Sequence, residues 1–178
     1  MDSLRSRDYT YPTAIPDYEM SISGQADKFL SFINNELIPD VDAKYTVDKN
    51  NRILMGHSLG GYFTVYALYQ NLATKNNLFS TYIAASPSTH YNHNYILKEL
   101  EKLKLNNNIY TYITFGGLED AEEGDSTILK TDAVFSALTK SFKDKINYKC
   151  DNYSNLGHMD TPLPTFIKGL QWTLTKEK

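Results

Sequence analysis

Cysteine is almost absent: Cys150 is the only one among 178 residues. No internal disulfide can form, and a thiolate metal site is argued against. The residue reads as a buried strand position. Also missing is any apolar run of about 18 residues, the length a helix needs to cross a bilayer. The N-terminus, Met1-Asp-Ser-Leu-Arg-Ser-Arg-Asp8, lacks the apolar stretch of a secretory signal. With Met1 as the true start this reads as cytoplasmic; an N-terminal extension bearing a signal would make the protein periplasmic or secreted. Eighteen basic residues stand against 21 acidic ones, for a net charge of −3. No block of like charge is long enough for a nucleic-acid arm or a polybasic membrane patch. Internal repeats and low-complexity segments are lacking too. A globular chain is expected, with a small molecule as its partner and neither nucleic acid nor membrane.

What the chain does have is 41% hydrophobic and 13% aromatic residues, enough for one core, so residues 1–178 are expected to form a single domain. Residues 1–23 read as an irregular segment. Pro12 and Pro16, with Tyr9, Tyr11 and Tyr18 around them, suggest an extended loop lying on a surface. Ala26, Phe29, Leu30, Ile33, Leu37 and Ile38 recur at helical spacing, and Pro39 is expected to kink or end that helix. Strands are expected at 52–55, 80–86, 109–115 and 146–153, the third being the richest in β-branched and aromatic residues. Helices are expected at 61–71, 95–105, 126–143, with Ile128 and Leu129 turned inward, and 164–175. Helix first, then four strand–helix units, implies an α/β fold: a mostly parallel sheet of about four strands with helices on both faces. All strand C-termini then share one edge, where ligands bind.

The chain is organised around Arg52-Ile-Leu-Met-Gly-His-Ser-Leu-Gly-Gly61. Gly56-His-Ser-Leu-Gly60 fits G-x-S-x-G between a short apolar run and a helical pattern, the context that makes this motif a nucleophile turn. Such a turn strains the backbone at Ser58 and lifts its hydroxyl over the sheet. Gly56 and Gly60 are expected to be required because a Cβ at either would collide with its surroundings. The Leu59 N–H opens the helix and is aimed where an oxyanion would develop.

A serine hydroxyl needs a base. His158 sits in the loop after the last strand, in the chain order that suits that role. An acid must orient the imidazole; Glu119, just beyond the third strand, is the first candidate and Asp120 the second. His57 and Tyr91 are candidates for lining the substrate site, His57 more as a packing and hydrogen-bonding residue than as a second base. His90 and His93 could line a pocket, but they lack obvious carboxylate or thiolate partners for a metal. No metal or other cofactor is called for. The chemistry expected of such a set is cleavage of a carboxylic ester through an acyl-enzyme. The same framework would also serve an acyltransferase, or a binding module that keeps the shape of the site.

Gly56-His-Ser-Leu-Gly-Gly61, Ser86-Pro-Ser88, Gly116-Gly-Leu-Glu119 and Leu156-Gly-His158 resemble, in this order, the Putative esterase family of α/β-hydrolases, in its siderophore (enterochelin) esterase-like and ferulic-acid esterase-like branches. Ala26-Asp-Lys-Phe-Leu and Asn35-Glu-Leu-Ile-Pro39 are similar to the helix that precedes the elbow strand there. The resemblance runs from about residue 5 to the C-terminus and looks nearest to the siderophore esterases. It implies a three-layer α/β-hydrolase-like sandwich, with Ser58 as nucleophile, His158 as base and Glu119 or Asp120 as acid. Members of the family carry several strands before this helix. The chain therefore corresponds to the C-terminal part of the fold, with N-terminal strands missing and an open sheet edge that would invite homodimerisation.

Overall fold

The computed structural model describes residues 2–16, 20, 22–103 and 108–175. Its centre is a parallel sheet of four strands in the order β1-β2-β3-β4: β1 Ile53–His57, β2 Thr81–Ala85, β3 Tyr110–Gly116 and β4 Asn147–Tyr153. Each strand lies within two residues of its expected span. The register runs unbroken, from Ile53 opposite Thr81 to Gly116 opposite Tyr153.

Period-2 alternation along β2 and β3 assigns the two faces. Tyr82, Ala84, Ile113 and Phe115 point into the main core. That face is covered by α4 (Leu59–Thr74) on β1 and β2, by α7 (Thr131–Phe142) on β4, and by α5 (Tyr91–Lys102) against both helices. Connections all lying on one face are what right-handed crossovers produce when strands are added in sequence. Ile83, Tyr112 and Thr114 face the other way, onto α8 (Pro162–Leu174), where the absent side chain of Gly169 admits Ile83 and Tyr112. Three layers result, with helices on both faces. Cys150 on β4 packs against the core, and burial pushes its thiol up to about 12.

The N-terminal segment departs from expectation. Residues 2–9 are not irregular: they form a helix, α1 (Asp2–Tyr9), packed on α2 (Ala26–Phe32) and α4. The cause is tertiary. The Tyr9 ring contacts Phe29 and Phe63 at 5.6 and 5.7 Å between centroids, and buried Thr10 accepts the Gly24 N–H through Oγ1. Residues 10–15 form no regular element, and they are tied down by the hydroxyls of Tyr62 and Tyr91 and by the amide of Asn92. Tyr18 and the last two residues of the expected helix 95–105 lie outside the described residues.

Before Pro39 the regular helix is interrupted, as expected, but it is not ended. A π-helical stretch, Ile33–Leu37, precedes Pro39, and α3 (Ile38–Lys44) continues with the proline in its first turn. The expected helix 126–143 begins only at Thr131. Asp125 Oδ1 accepts both the N–H and the hydroxyl of Thr127, a local bond that competes with helix formation. Asp120 Oδ1 then accepts the N–H of Thr131 and sets the start of α7. Among the described residues no helix is long and apolar enough to cross a membrane.

Candidate active site

The C-terminal ends of β1, β2 and β3 and the loop after β4 meet around a cavity of about 480 Å³. Ser58 is the residue between β1 and α4, with φ 58° and ψ −121°. A non-glycine residue in that region carries strain of about 1–3 kcal/mol and persists only where its surroundings impose it. Here the Ser58 N–H donates to Ala85 O, and the Ser58 carbonyl accepts from Tyr62 N and Ser88 N. The turn is tight enough that a Cβ on Gly56 would strike the Gly60 carbonyl, with Thr64 Oγ1 also within 2.7 Å. Gly60, by contrast, faces open space. The expectation that both glycines are sterically required is corrected: of the two, only the one before the serine is.

Ser58 and Leu59 line the cavity, as do Glu119, Asp120 and His158. Leu59 is the first residue of α4, so its N–H lies in the turn that has no intrahelical acceptor and carries the positive end of the helix dipole. His158 is gripped at three points. Its N–H donates to Glu122 Oε2 at 2.8 Å, its carbonyl lies 2.9 Å from His57 Nε2, and its Nδ1 lies 3.1 Å from Glu119 Oε2. With Nδ1 engaged, Nε2 is the nitrogen left to exchange a proton. Ser58 Oγ contacts Ser88 Oγ at 3.4 Å. No hydrogen bond joins Ser58 to His158, so closing that gap requires a side-chain adjustment, as free active sites commonly do.

The carboxylates are sorted by their partners. Burial pushes the Glu119 carboxyl up, but hydrogen bonds from His158, Ser86 and the Gly116 N–H outweigh it and hold the group below its ordinary value. The Glu119 hydrogen bond in turn raises His158 above the usual histidine range, against its burial. Asp120 is occupied at the start of α7, and Asp125 in its own turn. Chain order placed Glu119 and Asp120 side by side; the structure brings Glu119 to the imidazole.

Two expected lining residues fall elsewhere. Tyr91 is fully buried, its hydroxyl donates to Pro12 O and its ring meets Tyr62 edge-on, so it is a core residue and not a pocket wall. His57 does not line this cavity; it packs its ring on His158 at 4.8 Å and hydrogen-bonds the His158 carbonyl, the packing and hydrogen-bonding place expected of it first. Of the two histidines after β2, His90 lines the cavity and His93 does not; burial lowers the His90 pKa. Sequence reasoning missed Ser86, Ser88, Ile128 and Leu129 as lining residues. Ser86-Pro-Ser88 carried a signal, since it follows a strand at the active edge; the others did not. Among the described residues, no group of three or more His, Cys, Asp or Glu side chains is placed to hold a metal ion.

Comparison with known proteins adds a family context. The model of the family described as "Putative esterase" matches residues 5–158. The chain is 42% identical over 106 residues to the ferri-bacillibactin esterase BesA of Bacillus subtilis, a match covering 56% of this chain and 35% of that protein. It is 41% identical over 96 residues to the siderophore triacetylfusarinine C esterase of Aspergillus fumigatus, covering 53% of this chain and 30% of that one. The crystal structure of the BES protein from Bacillus cereus superposes with a TM-score of 0.72 at 26% identity, over 96% of this chain and 63% of that one. The matches to the two curated relatives thus span about a third of those proteins' length.

Proposed function

The chain belongs to the Putative esterase family, and from that premise we propose that it is a serine esterase working through an acyl-enzyme. Ser58 attacks the ester carbonyl while His158 Nε2 takes its proton, and Glu119 stabilises the imidazolium that forms. The tetrahedral oxyanion develops against the Leu59 N–H. His158 then protonates the departing alkoxide, and a water molecule activated by the same nitrogen releases the acid and restores Ser58. None of these steps draws on a metal or other cofactor.

The observation that carries this reading is one cavity lined by both the strained Ser58 and a His158 whose Nδ1 is held by a carboxylate. Relatives named as esterases of siderophores support a siderophore ester as the class of substrate. Incubation with a fluorophosphonate probe followed by mass spectrometry of the peptides tests the chemistry. An adduct on Ser58, with turnover of p-nitrophenyl acetate lost in Ser58→Ala, is expected. Absence of the adduct in folded protein refutes it. Release of the free acid from a siderophore ester, and not from the corresponding amide, tests the substrate class.

A further inference from the structure

We infer that Ser86 and Thr161 form a one-way hydroxyl relay that fixes the Glu119 carboxylate for His158. The inference rests on the role proposed for Glu119 above. Ser86 follows β2 with φ 42°, a second strained residue at the active edge, and like Thr161 it is fully buried. Its Oγ lies 2.6 Å from Glu119 Oε1 and 2.7 Å from Thr161 Oγ1, which itself lies 3.1 Å from the His158 carbonyl.

Each hydroxyl has one hydrogen to give, and that decides the arrangement. A carboxylate can only accept, so the Ser86 hydrogen goes to Glu119. The short Ser86–Thr161 contact then needs the hydrogen of Thr161. The His158 carbonyl, left without that donor, takes its hydrogen from His57 Nε2 at 2.9 Å. One assignment satisfies both hydroxyls, and the His158 carbonyl, which can only accept, places the His57 proton on Nε2. Beneath it, Thr165 donates to Thr161 O at 2.6 Å and so receives from Thr114 at 2.6 Å. These hydroxyls anchor the first turn of α8 to the sheet. Ser86 and Thr161 are positioning residues: their hydroxyls touch the carboxylate or its holder.

The full chain carrying Ser86→Ala, Thr161→Val, Thr161→Ser or the Ser86→Ala/Thr161→Val pair tests the relay. Misplacing a catalytic group by about 1 Å costs on the order of 100-fold in rate. Ser86→Ala is therefore expected to lower kcat on p-nitrophenyl acetate about 10- to 100-fold with KM nearly unchanged. Thr161→Val loses less, and Thr161→Ser restores the wild-type rate. Links in series do not add, so the double variant is expected to be no slower than Ser86→Ala alone. By NMR, the His158 titration moves toward the ordinary histidine value in Ser86→Ala. Additive losses, or wild-type kcat together with an unmoved His158 titration in Ser86→Ala, overturn the relay. Turnover retained in Ser58→Ala, or none by the wild-type chain, overturns the esterase reading instead, and the His158 titration still decides the relay.

Discussion

Replacing Glu119 by glutamine is the sharpest single perturbation of the site. Ser86 and the Gly116 N–H both donate to Oε1, so the amide oxygen of a glutamine is held there and its NH2 is turned to His158 Nδ1. That nitrogen must then accept, which moves the ring proton to Nε2, the position from which Ser58 would have to be deprotonated. The substitution also removes a charge facing the imidazolium across a 3.1 Å contact. At an effective dielectric of about 20, unit charges about 4 Å apart attract by about 4 kcal/mol. The His158 side chain is 34% exposed and that of Glu119 14%, so screening brings the effect down toward the about 1.5–3 kcal/mol of a hydrogen bond to a charged group. At about 1.4 kcal/mol per tenfold, kcat/KM on p-nitrophenyl acetate should fall about 10- to 150-fold. In the wild type, activity should rise with pH through a midpoint above the ordinary histidine value of 6.5, because His158 must be neutral to act and Glu119 holds its proton on. In Glu119→Gln that midpoint should move down. A folded Glu119→Gln protein within about threefold of wild type across the whole profile would refute the reasoning, since the factor expected from the hydrogen bond is larger.

Three further outcomes follow from the same geometry. Linkage gives the Glu119–His158 pair a definite pH window: the raised His158 contributes stability that is full below 6.5 and lost as pH rises through its folded pKa. The depressed Glu119 contributes stability present above 4.5 and lost as pH falls through its own folded pKa. The gap in unfolding free energy between wild type and Glu119→Gln, read by urea titration, should therefore be wider at about pH 5.5 than at about pH 8.5. Gly60→Ala should be tolerated and even stabilise by up to about 1 kcal/mol, alanine being the better helix former, whereas Gly56→Ala should lose folded protein because the Cβ meets the Gly60 backbone; thermal melts of the two compare them directly. Tyr91→Phe should cost about 1 kcal/mol in stability by releasing the Pro12 carbonyl, with kcat and KM unchanged; an altered KM would return Tyr91 to the substrate site.

The strands and the elbow were legible in the sequence because their signals are local. Two-residue alternation, β-branched runs and a serine flanked by glycines between strand and helix depend on neighbours a few positions away. Ser58, Leu59, His158 and the pair Glu119/Asp120 were all reachable from motif and chain order. Tertiary packing alone decided the rest. Residues 2–9 have no strong pattern of their own, and the rings of Phe29 and Phe63 supply the contacts that make them a helix. Glu119 and Asp120 are adjacent and chemically near-equivalent; only the fold gives one of them His158 and the other the N–H of Thr131. Tyr91 and His57 carry surface-compatible polar groups that the sequence cannot assign to core or cavity, and both are committed to backbone carbonyls of segments far away in the chain. The Ser86–Thr161 contact joins residues 75 positions apart. No periodicity spans such a distance, so the hydroxyl network exists only once the sheet has brought the two loops to the same edge.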